Sequence, residues 1–466
     1  MPGVPSGRGC EACRKQKKKC DQGKPSCSRC TRLQIPCIGS GERRYQFKEQ
    51  RPFGSHSPSE GSSSAATSRS HSDNKVERVR RSPSNEVDSL SIAFGDMIKA
   101  STDLRYNLAW SFGDYLEEIP RRLGTNQALD TSAAALVEAH SVLCSRGDVT
   151  AGALDKYSLA LSKLREYLDD PAKAGAPETI CSVYLLLISQ SFIGFTGGRF
   201  TGHSEGAAQI LKARRNFAMR DDFEKKLFLS LRATVLLEGL VNSKIDFTFE
   251  EWKVLVEDYW QQEKTASIAL RCLCRVPSYM HRGKAVLSGQ IEDPELLDEM
   301  TENYQTLKTA LKDFQAERLE FIQSGAGDKI SPFAPVRRNH AQFERQYGLI
   351  LAISIILNIV LSVIDITNMS LSTELLFFSK EILTLVEPAE KYRPLGACSI
   401  PFFVCMAWMG STDSSIRSSV EMTLADYHQD FFRGHDMPTI IRELHLTEQQ
   451  LHLQDPDPPW DGESRY

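Results

Sequence analysis

Apolar residues recur at helical intervals over most of the chain. Tyr157, Leu161, Leu164 and Leu168 mark one face of a predicted helix; Ala133, Leu136, Val137 and His140 mark another, with Asp130 read as its cap. Residues 224–241, carrying Leu227, Phe228, Leu231, Val235, Leu236 and Leu240, and residues 304–321 continue the pattern. Strand-like alternation is rare, so the reading is a mostly α-helical body from about residue 89 to 455 whose core is made by helix packing. Tyr304, Leu307, Leu311 and Phe314 follow a heptad-like spacing for a short distance, but Arg318 takes the next core position. An ordinary packed helix is therefore expected there, not a dimer zipper. Residues 349–364 are the most hydrophobic run in the chain, yet Ser354, Asn358, Ser362 and Asp365 lay a polar stripe along one side. A buried helix fits that stripe better than a membrane span, which needs about 20 apolar residues. No membrane is expected as a partner.

The helical pattern breaks off toward the N-terminus. Half of residues 55–72 are serine, and no aromatic residue occurs between Phe53 and Phe94, so this stretch lacks the means to build a core. It predicts a basic, Ser-rich disordered linker over residues 41–88 joining a small head to the body. Lys75, Arg78, Arg80 and Arg81 near its end read either as a nuclear-import or phosphate-attracting cluster or as solvated linker charge. Residues 456–466 are expected to be a disordered tail. The acidic, Pro-rich stretch there reads as a coactivator contact or as a terminus without a role.

A length of 466 residues fits two or three domains. The net charge of −4 conceals an asymmetry. Residues 1–50 hold twelve Lys and Arg against four acids, which gives +8 and leaves −12 for the rest. A basic head on an acidic body suits a polyanionic partner. The opening residues Pro2 to Ser6 lack the apolar core of a secretory signal, so an intracellular protein is expected. In a reducing compartment, twelve cysteines read as metal ligands or buried thiols rather than disulfides.

Six of the twelve form Cys10-x2-Cys13-x6-Cys20-x6-Cys27-x2-Cys30-x6-Cys37, two half-motifs in tandem. Zinc takes four ligands in a tetrahedron, and a Cys-x2-Cys turn lets two thiolates converge on one ion. Six cysteines fill two such sites only if two thiolates bridge. Between Cys13 and Cys20 lie Arg14, Lys15, Gln16, Lys17, Lys18 and Lys19, five cations in six residues, placed where a short helix is expected to start. Six thiolates and two Zn2+ would leave the cluster itself at about −2 and residues 1–50 at about +6, so attraction to a polyanion survives. A segment this small has almost no apolar interior, and metal binding must supply its folding energy, on the order of 10 kcal/mol per zinc.

Residues 8–37 resemble the fungal binuclear zinc cluster family, the Zn2Cys6 class, and their cysteine pattern is very specific. The resemblance implies two Zn2+ ions: Cys10, Cys13, Cys20 and Cys27 on one, Cys10, Cys27, Cys30 and Cys37 on the other, with Cys10 and Cys27 shared. It also implies reading of a CGG triplet in promoter DNA. Lys17, four residues after the second cysteine, is the implied base contact, with Arg14 and Lys19 positioning phosphates and supporting the helix. Lys15, Gln16 and Lys18 complete the expected DNA-binding set. Asp21 follows the third cysteine as in the family, and Pro25 sits in the loop between the halves, as a fixed turn or as simple loop punctuation.

The body carries competing signals. Gly202-His203-Ser204-Glu205-Gly206 fits a Gly-x-Ser-x-Gly nucleophile elbow, but an elbow needs a buried strand before it and this region reads as helical. The same residues, with Ile210 and Leu211, Ile119 to Thr125 and Glu251-Trp252, resemble the fungal-specific transcription factor domain. His203 reads as a hydrogen-bonded structural residue, and Cys272 and Cys274 as buried or free thiols. A zinc-dependent enzyme is the second reading, against which closed all-cysteine sites argue; metal storage is the third. The sequence thus describes a small Zn2Cys6 domain (residues 8–40) and a large all-α regulatory domain (89–455). Together they make a non-enzymatic nuclear transcription factor, with double-stranded DNA, a second copy of itself and transcription machinery or coregulators as partners.

Overall fold

The computed structural model describes residues 9–38, 85–99, 103–145, 147–194, 201–214, 221–240, 242, 244–257, 265–323, 334–431 and 436–454. The chain divides into two compact units, Met1–Val79 and Arg80–Tyr466. Among the described residues all regular structure is helical and none is strand. The linker expected over 41–88 lies outside the described residues as far as 84, as do the basic cluster at its end and the tail 456–466. The last part of that linker is a correction: helix Glu86–Lys99 begins before residue 89, opened by the Asn85 side chain, whose Oδ1 accepts the Asp88 N–H at 2.7 Å.

In the second unit the helix Gln127–Ser145 packs along Pro177–Ile193, with Ala151–Leu168 beside both. Pro177 at the first helical position costs no backbone hydrogen bond. The expected cap of Gln127–Ser145 moves: Asn126, not Asp130, accepts the Leu129 N–H at 3.0 Å. Asp130 sits inside the helix and reaches back to the Gly124 N–H at 2.8 Å. On Ala151–Leu168 the buried face runs through Ala153, Tyr157, Ala160 and Leu164, while Leu168 is exposed. The predicted stripe drifts because a helix turns by slightly more than the spacing chosen for its last member.

The apolar run lies in the helix Ala334–Ile364, wrapped by Leu296–Gln323, Ser370–Thr384 and Ile400–Met409. Its polar stripe turns inward. Ser354 and Asn358 are fully buried; Ser354 Oγ donates to the Ile350 carbonyl at 2.8 Å, and Asn358 Nδ2 donates to Tyr304 Oη at 2.8 Å and the Leu371 carbonyl at 3.1 Å. Tyr304 in turn donates to Glu374 at 2.6 Å. The stripe is thus a hydrogen-bonded seam joining three helices, which a lipid-facing surface would not need. Tyr304, Leu307, Leu311 and Phe314 are buried against it, and Arg318 pairs with Glu344 at 2.8 Å, as an ordinary packed helix requires.

The two helical groupings of this unit meet through backbone contacts that side chains satisfy. Arg345 donates to the carbonyls of Trp110 and Ser111 at 2.9 and 3.3 Å, and Ser111 Oγ to that of Leu395 at 3.0 Å. Gly396 lies at this seam. A Cβ there would fall 2.7 Å from Tyr392 Cβ and 2.8 Å from the Leu104 carbonyl oxygen.

Gly396→Ala is expected to destabilise the helical unit by about 1–3 kcal/mol, since backbone has to move. Gly95→Ala, with nothing within 4 Å of the new methyl, should instead be neutral or stabilising. Thermal unfolding followed by circular dichroism separates the two. Burial holds the imidazoles of His140 and His203 below their ordinary 6.5. Their folded forms therefore bind protons less readily than the unfolded chain does. That contribution to stability is complete above about pH 7 and is lost as pH falls through the histidine range. Denaturant melts at about pH 7 and about pH 5 should show the drop, and His203→Gln should shrink it.

Candidate metal centre and nucleic-acid interface

Residues 9–38 are built as two similar halves. Helix α1 (Glu11–Lys15) follows Cys10, and helix α2 (Ser28–Arg32) follows Cys27, 17 residues later. Each half repeats the same backbone details. The Cys10 N–H donates to Cys20 Sγ at 3.4 Å and the Cys27 N–H to Cys37 Sγ at 3.3 Å. Both helices then close in the same way. The Lys18 N–H reaches the Cys13 carbonyl at 2.9 Å around Lys17 at φ +50°, and the Ile35 N–H reaches the Cys30 carbonyl at 3.1 Å around Gln34 at φ +45°. These are Schellman closures with a left-handed residue one place past the cap.

The closure corrects one expectation. The basic run does not start a helix; α1 ends at Lys15, Lys17 occupies the turn, and Lys18 and Lys19 follow without regular secondary structure. Arg14 is on α1, and its side chain lies outside the described residues. Lys15 pairs with Glu11 at 3.3 Å on the surface. Lys17, Lys18 and Lys19 are exposed. Gln16 Oε1 accepts a bond from Arg29 Nη2 at 2.6 Å, a contact between the halves that spacing alone gave no sign of. Asp21, noted only for its place after Cys20, accepts the Ser28 N–H at 3.0 Å and the Ser28 hydroxyl, and so anchors the first turn of α2. Those bonds hold its carboxyl below the usual range. The peptide Lys24–Pro25 is cis.

The interior of this unit is sulfur. Cys10, Cys13, Cys27 and Cys30 are buried, Cys20 and Cys37 half-buried, and Ala12 and Ile35 are the apolar side chains packed against them. The sulfurs fall into two overlapping sets of four, Cys10, Cys13, Cys20, Cys27 and Cys10, Cys27, Cys30, Cys37. Within each set all ligand atoms lie within 4.8 Å of one another. Cys10 and Cys27 belong to both and stand 3.8 Å apart; Cys13–Cys27 is also 3.8 Å and Cys10–Cys30 3.5 Å. Zinc–sulfur bonds of about 2.3 Å in a tetrahedron place sulfurs roughly 3.8 Å apart, whereas a disulfide needs about 2.05 Å. The six residues therefore fit two tetrahedral ions sharing one edge.

Protonation favours the same occupant. Burial, reinforced by neighbouring sulfurs, pushes the Cys13 thiol up to about 12 and Cys30 strongly in the same direction. Cys27 is lowered by the Cys30 N–H; Cys10 is lowered by the Cys13 N–H and nearby thiols against the opposing effect of burial. Backbone dipoles thus favour negative charge on the two shared sulfurs, and a dication at the centre would supply what Cys13, Cys30 and Cys37 need to ionise.

The remaining sequence candidates behave as structure. His203 and Ser204 lie within the helix Thr201–Arg214, Ser204 buried and His203 Nε2 at 2.7 Å from Tyr157 Oη. Ser204 thus stands inside a helix and not at the turn that opens one; residues 195–200, where an elbow's strand would run, lie outside those described. Cys272 and Cys274 are buried and donate to the carbonyls of Asn303 and Arg271 at 3.7 and 3.0 Å. Glu251 forms a capping box with Thr248, its Oε2 accepting the Thr248 N–H at 2.9 Å.

Comparison with known proteins agrees with the sulfur geometry. Residues 8–46 match the family described as the fungal Zn(2)-Cys(6) binuclear cluster domain. The N-terminal unit therefore carries such a domain, a module that binds two zinc ions. Over 40 residues the chain is 50% identical to pestheic acid cluster transcriptional regulator 3 of Pestalotiopsis fici. Over 45 residues it is 44% identical to transcriptional regulator alnR of Emericella nidulans. These matches cover 9% and 10% of this chain, and 7% and 11% of the two relatives. No solved structure matches the chain.

Elemental analysis of the purified protein should find two zinc ions per chain. Cys27→Ser is expected to lose both ions, because the substitution removes a sulfur common to the two sets; retention of two tightly bound zincs would contradict sharing.

Proposed function

We propose that this chain is a sequence-specific, DNA-binding regulator of transcription that acts in the nucleus and reads CGG-type promoter triplets through its zinc head. The observation that carries the proposal is the exposed turn Lys17-Lys18-Lys19, held by the closure of α1 directly beside the sulfur cluster. No ion pair engages these three ammonium groups among the described residues. Cations fixed on a small rigid module gain affinity by releasing counterions from phosphates, and one of them placed in the major groove meets the O6 and N7 acceptors of guanine.

In this reading Cys10, Cys13, Cys20, Cys27, Cys30 and Cys37 hold the two zincs, and Lys17 contacts the bases. Arg14, Lys18 and Lys19 neutralise phosphates, and Lys15 and Gln16 support the turn. The helical body corresponds to the fungal-specific transcription factor domain and serves dimerisation, signal sensing or recruitment of transcription machinery. The names of the two relatives support a regulatory role, and that of the first supports control of a biosynthetic gene set. The cluster is a closed all-sulfur site with no open coordination position, which favours a structural over a catalytic metal.

Lys17→Ala should reduce discrimination between a CGG duplex and a scrambled one, with about 1–3 kcal/mol lost at the CGG site. Lys19→Ala should weaken both duplexes similarly and lower the salt dependence of binding. Fluorescence anisotropy titrations at two salt concentrations measure both; equal losses on the two duplexes for Lys17→Ala would reject base reading.

A further inference from the structure

The 17-residue repeat offers an internal control for every contact in the head. Most contacts of the metal fold occur twice: the N–H to sulfur bonds, the left-handed turn residues and the closing backbone bonds have a counterpart in the other half, and the Asp21 side chain's hold on the Ser28 N–H is matched by the Ile38 carbonyl's on the Glu11 N–H. The bond from Arg29 Nη2 to Gln16 Oε1 has none. Shifted by 17 residues, Gln16 becomes Leu33 and Arg29 becomes Ala12, two side chains that can neither donate nor accept a hydrogen bond. The strap exists on one turn only.

That turn is the cationic one. Gln16 is the residue immediately before Lys17, and the left-handed backbone at Lys17 fixes where its side chain starts. Arg29 stands next to Cys30 on α2, whose first turn is fastened through Asp21 to Ser28. The chain of contacts therefore runs from the second half of the head, through Arg29 and Gln16, to the base of Lys17. The related turn at Gln34 carries no cation from Leu33 to Pro36 and has no such brace.

We propose that Arg29 is a positioning residue that acts through Gln16 to set the aim of Lys17, and hence contributes to sequence discrimination and not to zinc retention. The inference rests on the DNA-reading function proposed above. A lysine free to swing satisfies any phosphate; one whose root is braced meets base acceptors at a defined register. Neither Arg29 nor Gln16 needs to touch DNA for this.

The test uses the full-length, zinc-loaded chain with Gln16→Met, Arg29→Met, the double variant, and Gln16→Glu. The quantities measured are zinc content and the ratio of Kd values for scrambled and CGG duplexes. Each single Met variant should lower the ratio by about fivefold, the size expected for one contact pair, and the double variant should lower it no further. Zinc should stay at two per chain throughout. Gln16→Glu keeps an acceptor for the guanidinium and should keep the ratio, while its negative charge weakens both duplexes. The proposal is overturned if Gln16→Met keeps the wild-type ratio, if the singles lose zinc, or if Arg29→Met keeps the ratio while Gln16→Met loses it, which would make Gln16 a direct base contact. A wild-type protein that does not distinguish the two duplexes would refute the DNA-reading function itself, a result separate from any of these.

Discussion

The head is organised around two sulfurs, Cys10 and Cys27, that belong to both tetrahedral sets at once. Eight coordination positions and six ligands leave no other solution for two four-coordinate ions. Each of these sulfurs opens a half of the head and precedes its helix, so joining them fixes the halves against each other. Among the described residues, Ala12 and Ile35 are the apolar side chains other than cysteine that pack into this interior. The fold of the head and the occupancy of its centre are consequently one equilibrium, unlike the helical unit, whose stability comes from burying large aromatic and aliphatic side chains.

The two units answer different physical demands. In the helical unit, the costly features are polar groups taken out of water, and some of them are met by partners: Asn358 Nδ2 by Tyr304 and the Leu371 carbonyl, Arg345 by the carbonyls of Trp110 and Ser111. In the head, the costly feature is negative charge crowded on buried sulfur. Backbone N–H groups meet part of it at each cysteine pair, and lysines one turn away present the opposite charge to solvent.

The cysteine spacing marked six sulfurs for metal, and the tetrahedral count required two of them to be shared; which two was implied by the resemblance to the Zn2Cys6 class, and the sulfur sets of the structure agree with it. The all-helical character of the body was equally open to reading from periodicity, and the polar stripe of Ser354 and Asn358 marked the positions that the structure buries and hydrogen-bonds. The errors lie at ends and turns. Asp130 looks like a cap by residue type, but Asn126 four positions earlier is as good a cap and wins by tertiary placement. The basic run was expected to start a short helix from its place between the second and third cysteines; the closing bond from Lys18 to Cys13 ends the helix before it. The Arg29 to Gln16 bond joins residues 13 apart through space and left no trace in the pattern.

Duplication of the half-motif has one more effect. Two halves that repeat the same turns would, with equal side chains, present two equivalent faces. Here one turn is Lys17-Lys18-Lys19 and its counterpart is Gln34-Ile35-Pro36. The symmetry of the chain trace is therefore cancelled by its charges, which gives the head a front and a back.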